Sequence, residues 1–290
     1  MSFPIIDSHQ HIWDKSKATY DWLTEEFTVL NRVFEFEELR PQIANLGIDF
    51  TIQVQSADNL ADTELMRESA RHHPEVAAIV GYAPLEDPQK AFEVLNSWQS
   101  DDLMVGVRNL IHNQTDPKWL LRPDVNAGLG VLAASGYSFD VVSVTSEQLQ
   151  CVPIISERHQ NLRMVIDHLS KPPIGLGDDR EWKDLITQAA SNPLVYGKIS
   201  GLYSATADPS AWSTELVRPY FEFALEVFGA ERLMYGGDWP VALLAGGYTR
   251  VWNGLNPLFN SVSAEEREAL LGRTAFEFYQ ISGSRLGLDT

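Results

Sequence analysis

The chain has 290 residues, 44% of them apolar and 21% charged, an ordinary globular composition long enough to bury a core without a disulfide or a structural metal. A formal net charge of −18 argues against nucleic acid and anionic membrane surfaces as partners, since both demand basic patches. No apolar run approaches the ~20 residues of a membrane span and no basic, apolar leader opens the chain, so a soluble, cytoplasmic protein is expected. Cys151, the only cysteine, lies in an amphipathic stretch and reads as buried and inert.

In chain order, short β-rich apolar runs alternate with helical patterns. The runs cover 5–8, 50–55, 77–83, 104–110, 139–143, 164–168, 194–200 and 233–235, eight in all. Several are nearly continuous Val, Ile and Met, as parallel strands packed on both faces require. The spacing predicts helices over 35–45, 62–73, 146–159, 212–228 and 263–272, the last opened by a Ser263-x-x-Glu266 capping pattern. Eight βα repeats predict a (β/α)8 TIM barrel, a single domain over 1–290; such barrels typically take about 250 residues. The stretch 12–32, rich in Trp and Tyr, reads as an enlarged first βα loop, and 171–177 as another βα loop.

Function in this fold sits where strands end. Run one ends in Asp7-Ser8-His9-Gln10-His11, and alternation puts His9 and His11 on one face. Paired imidazoles there can hold one metal ion or polarise one carbonyl; two unrelated polar residues are the bland alternative. Run six ends in His168, directly after Met164-Val165-Ile166-Asp167; a hydrogen-bonded core histidine would look the same. Run eight ends in Gly236-Gly237-Asp238, where the glycines allow close backbone approach and Asp238 follows, unless it merely serves a turn. Arg108 ends run four and suits a substrate carboxylate or hydroxyl. Gln53 and Gln55 share a face of run two and are expected to line the pocket. Trp13, Trp22, Tyr203 and Trp239 fall on mouth loops, with Trp22 and Trp239 expected to contact substrate. Lys171 and Lys198 are left between structural and functional roles, and His72, His73, His112 and His159 read as surface residues.

The pieces IDSHQHIW, YDWL, TIQVQSAD, VGVRN, FDVVS, VIDHLSKPPI, GKISGLYS and MYGGDWPV, spread from Ile6 to Val241, resemble the amidohydrolase superfamily. Within it they resemble the sugar-lactone hydrolase branch, with its L-fuconolactonase-like, L-rhamnonolactonase-like and 2-pyrone-4,6-dicarboxylate lactonase-like enzymes. The resemblance implies a hydrolase that opens a small, sugar-derived lactone, with Asp238 as general base and His9, His11 and His168, or one divalent metal, polarising the carbonyl. Binuclear members carry a carboxylated lysine on strand four and a histidine on strand five, where this chain has Arg108 and Asp140. At most one zinc-like ion is therefore expected, held by His9, His11 and Asp238, and a metal-free site stays open. The branch also carries His after the strand-four Arg and Ser before the strand-eight Asp; Asn109 and Gly237 stand here, which leaves the particular lactone open. Two alternatives remain: a decarboxylase of the same superfamily acting on a small carboxylic acid, and a non-catalytic binding protein. Oligomeric state is not legible.

Overall fold

Strands and helices alternate along the whole chain in the computed structural model, which describes residues 3–288. The strands are β1 (Ile6–Gln10), β2 (Phe50–Val54), β3 (Val76–Gly81), β4 (Met104–Asn109), β5 (Ser138–Val141), β6 (Met164–Ile166), β7 (Val195–Ile199) and β8 (Leu233–Tyr235). Each pairs in parallel with the next, in the order β1 to β8. Between and after them lie helices α1 (Phe36–Leu46), α2 (Leu60–His72), α3 (Pro88–Ser97), α4 (Pro123–Ser135), α5 (Ser146–Arg158), α6 (Arg180–Ala190), α7 (Thr214–Phe228), α8 (Tyr248–Phe259), α9 (Ala264–Glu268) and α10 (Thr274–Tyr279). This is a (β/α)8 barrel.

Local chemistry starts and stops these elements where the sequence indicates. Asn59 caps α2 at the Asp62 N–H, Ser213 caps α7, and Ser263 with Glu266 forms a reciprocal capping box on α9. Gly47 ends α1 in the left-handed conformation. Two apolar clusters result. The larger joins the outward strand faces to the helices. The smaller contains Ile52, Val54, Val80, Val165 and Met234, and Phe278 and Tyr279 at the end of α10 close it from below.

The seam between β8 and β1 closes beyond the end of β8. The Asp238 N–H donates to the His9 carbonyl at 2.7 Å and the His11 N–H to the Trp239 carbonyl at 2.7 Å. The segments that complete the barrel are thus the segments that carry the candidate site residues. The loop between β1 and α1 folds over this end, where Trp13, itself buried, donates its indole N–H to the Arg32 carbonyl. Among the described residues, no helix is long and apolar enough to cross a membrane.

Candidate active site

His9, His11, His168 and Asp238 converge at the strand C-terminal ends. The Nε2 atoms of His9 and His11 are 3.1 Å apart, and Asp238 Oδ1 lies 3.8 Å from the first and 3.5 Å from the second. Ring atoms of His9 and His168 and a carboxylate oxygen of Asp238 fall within 4.8 Å of one another. His11 presents Nε2 because its Nδ1 lies 2.7 Å from the Val54 carbonyl oxygen, an acceptor only. His168 is fixed through Nδ1 to the Ser200 hydroxyl at 2.9 Å. Tyr203 donates its hydroxyl to Asp238 Oδ2 at 2.8 Å.

The backbone is bent to make this geometry. Asp238 sits at φ 55°, and His168, Leu169, Ser170 and Lys171 form an unbroken left-handed run with φ between 48° and 57°. Such residues cost roughly 1–2 kcal/mol each without a glycine, so the surrounding fold must impose them. Asp7 supplies part of that hold. Fully buried, it accepts from the Gly237 N–H at 2.8 Å and the Tyr248 hydroxyl at 2.6 Å, pinning the loop that carries Asp238.

Beneath His9 lies a closed charge network. Lys198, fully buried, places Nζ 2.5 Å from Asp140 Oδ2, 3.1 Å from Asp167 Oδ1 and 3.1 Å from His9 Nδ1. Arg108 lies 3.3 Å from Asp167 through Nε, and Tyr279 donates to Asp140 at 2.7 Å. Two carboxylates thus face two cations. Burial alone would raise Asp167, but Lys198 and Arg108 outweigh it and hold the carboxyl well below its usual range. Burial lowers His9 well below a normal imidazole and takes His168 to about 4, so both are neutral near pH 7. Burial opposes ionisation of Asp238 too, yet the polar contacts around it, His168 first among them, hold the carboxyl below its usual range, and it stays ionised.

A cavity of about 220 Å³ opens above these groups. Trp13, Trp22, Leu110, Val142 and Leu244 give it apolar walls, and Arg108, His112, Lys171 and Asp238 its polar points. Several sequence expectations are corrected here. Gln53 does not line the cavity; it bonds Ser69 of α2, because Ile52 and Val54 take the inner face of β2 and turn Gln53 outward. Gln55 is spent on the Arg108 carbonyl at 2.8 Å and also lies outside the lining. Trp239 is buried against Phe34 rather than offered to a ligand. His112 is no surface residue: half-buried on the cavity wall, it is lowered to about 3 by burial and by Arg108 and Lys171. His73 is also buried, against Glu37. Sequence reasoning missed Asp7, Asp167 and Ser200; for the first two the signal was available, as charges inside apolar strand runs.

The donor set fits one divalent ion. Spacings of 3.1–3.8 Å among His9 Nε2, His11 Nε2 and Asp238 Oδ1 bracket the edges, about 3.3–3.6 Å, of a coordination tetrahedron with bonds of about 2.0–2.2 Å. The second cluster of potential ligands, His9, Asp140 and Asp167, already holds the Lys198 ammonium and offers no room for another ion.

A barrel with His9 on β1, His11 just beyond it, His168 after β6 and Asp238 after β8 has its polar groups gathered at the strand C-terminal ends, as an enzyme of this fold requires. The amidohydrolase family model matches residues 6–281, and the chain belongs to that family, as its motifs imply. It is 32% identical to an L-fucono-1,5-lactonase of Burkholderia ambifaria over 83% of this chain and 82% of that one. It is likewise 32% identical to an L-fucono-1,5-lactonase of Burkholderia multivorans over 95% and 96%. The crystal structure of a B. multivorans amidohydrolase with bound zinc superposes with a TM-score of 0.88 at 30% identity, covering 96% of this chain and all of that one. A 5-carboxyvanillate decarboxylase shares the fold at 13% identity and a TM-score of 0.64, a likeness of fold alone.

Proposed function

We propose that this chain is a lactonase that opens a small, sugar-derived lactone. The observation that carries the reading is the convergence of a buried, ionised carboxylate, Asp238, with three imidazoles under a cavity sized for one small ring. The two lactonase relatives support the substrate class. Asp238 takes a proton from water as its oxygen bonds to the lactone carbonyl carbon, a role worth about 10²–10⁴-fold in rate. The ring C–O bond then breaks, and Asp238 returns the proton to the leaving alkoxide, giving a hydroxy acid that ionises. Neutral His9 and His168 face the developing oxyanion, to which a ring N–H can donate. Where a divalent ion is bound, His9, His11 and Asp238 would hold it, and it would act as a Lewis acid on the carbonyl oxygen. Arg108 and Lys171 grip substrate oxygens, and Trp22 covers the ring.

The two cations on the cavity wall also favour a second reading, decarboxylation of a small carboxylic acid. A pH-indicator screen of aldonolactones, run with and without chelator and with headspace carbon dioxide recorded, separates the two. Acid release from L-fucono-1,5-lactone or L-rhamnono-γ-lactone without carbon dioxide is expected. Inactivity on every lactone, with carbon dioxide released from aromatic acids, would replace the proposal.

A further inference from the structure

His9 has a hydrogen-bond problem with two solutions. Its Nδ1 faces a donor, Lys198 Nζ at 3.1 Å, and an acceptor, Asp167 Oδ1 at 3.3 Å. Its Nε2 faces His11 Nε2 at 3.1 Å and Arg108 Nη1 at 3.3 Å. His11 settles the choice. With its Nδ1–H spent on the Val54 carbonyl, its Nε2 turns a lone pair toward His9. A lone pair on His9 Nε2 would meet that lone pair head-on, whereas an N–H there donates to it. Arg108 Nη1 keeps another acceptor, the Gln55 carbonyl at 3.4 Å. The consistent chain runs from the Lys198 ammonium to His9 Nδ1, from His9 Nε2–H to His11 Nε2, and from His11 Nδ1–H to Val54.

We propose that Lys198 is a positioning residue that fixes His9 as the Nε2–H tautomer, so that in the ion-free site His9 is a hydrogen-bond donor rather than a metal ligand. Occupancy by a divalent ion then requires that proton to move to Nδ1, with Asp167 replacing Lys198 as its partner. No proton is gained or lost; only the ring nitrogen that carries it changes. Lys198 and Asp167 thus compete for one atom, and the winner decides whether His9 turns an N–H or a lone pair into the site. The inference rests on His9 being a site group, not on which substrate is opened.

Ring nitrogen NMR of the ¹⁵N-histidine-labelled full chain, after chelator treatment, reads the tautomer directly; the His9 ring is assigned by its loss in His9→Asn. A protonated Nε2 and bare Nδ1 are expected, exchanging to protonated Nδ1 when zinc is added. A protonated Nδ1 in the zinc-free protein would overturn the proposal. Independently, Lys198→Met paired with Asp140→Asn, which removes one charge of each sign, should tighten zinc binding about 10-fold or more by calorimetry. Should that variant not fold, the wild-type spectrum decides alone; an unchanged zinc affinity in the folded variant would count against it. Neither measurement uses a lactone, so loss of the lactonase reading and loss of this one are separable.

Discussion

At the scale of single residues, Asp238 and His168 have no spare space on the side of Gly201. A β-carbon on Gly201 would come 2.5 Å from His168 Nδ1 and 2.8 Å from Asp238 Oδ2, and Gly201 itself sits at φ 55°. Gly201→Ala should therefore push both groups from their positions. A fall of about 10²-fold in kcat is expected, the usual consequence of misplacing a reacting group by an ångström, with far-UV circular dichroism unchanged; near-normal turnover would detach this corner from the chemistry. Lys171 reaches the cavity through its left-handed backbone, and burial lowers its ammonium. If it grips substrate alone, Lys171→Met should raise KM more than it lowers kcat. Equal losses in kcat and kcat/KM would place the ammonium on charge that develops during reaction. The left-handed run also shows why Lys171 was ambiguous in sequence: His-Leu-Ser-Lys contains no glycine or asparagine to signal it.

At the scale of elements, strand periodicity located all eight strands to within a few residues, because Val and Ile runs bounded by polar ends have few other uses in a barrel. It could not say which face is which. Parallel barrel strands are apolar on both sides, so alternation alone could not tell that Gln53 turns from the cavity toward Ser69 of α2. Gly237, on the segment beyond β8, fits only as glycine. An added β-carbon would lie 2.1 Å from the Tyr248 ring and 2.7 Å from Asp7, so Gly237→Ala should cost about 1–3 kcal/mol or more in urea unfolding. At the start of α2, Asp62 ties the end of β2 to the long first loop, accepting from the Ser56 N–H and the Tyr20 hydroxyl, each at 2.8 Å. Burial raises Asp62 from 3.8 to about 6. Its folded form binds a proton that the unfolded chain has released, so its contribution is complete below the unfolded value and is lost as pH rises through 6. The melting temperature of Asp62→Asn should therefore gain on wild type between pH 4.5 and 7.5, and a difference that stays constant or moves the other way would contradict this.

At the scale of the whole molecule, a chain of net charge −18 folds two acidic side chains and two cations into a dry network directly under its site. Lys198 fills the place a second ion would need, and metal analysis of the purified protein should find no more than one divalent ion per chain; two tightly held ions would contradict that assignment. The histidine pair, His168 and Asp238 were legible because each lies at a strand end. The network beneath them was not, since its partners come from β4, β5, β7 and the residue after β6, and only the closed barrel brings them together. The central claim is that Asp238 takes the proton from water in lactone opening. The measurement that tests it most directly is the turnover of Asp238→Asn on the best lactone of the screen, beside wild type. A folded variant slowed at least about 10²-fold is predicted, because an amide cannot accept that proton; turnover within a few-fold of wild type would contradict it.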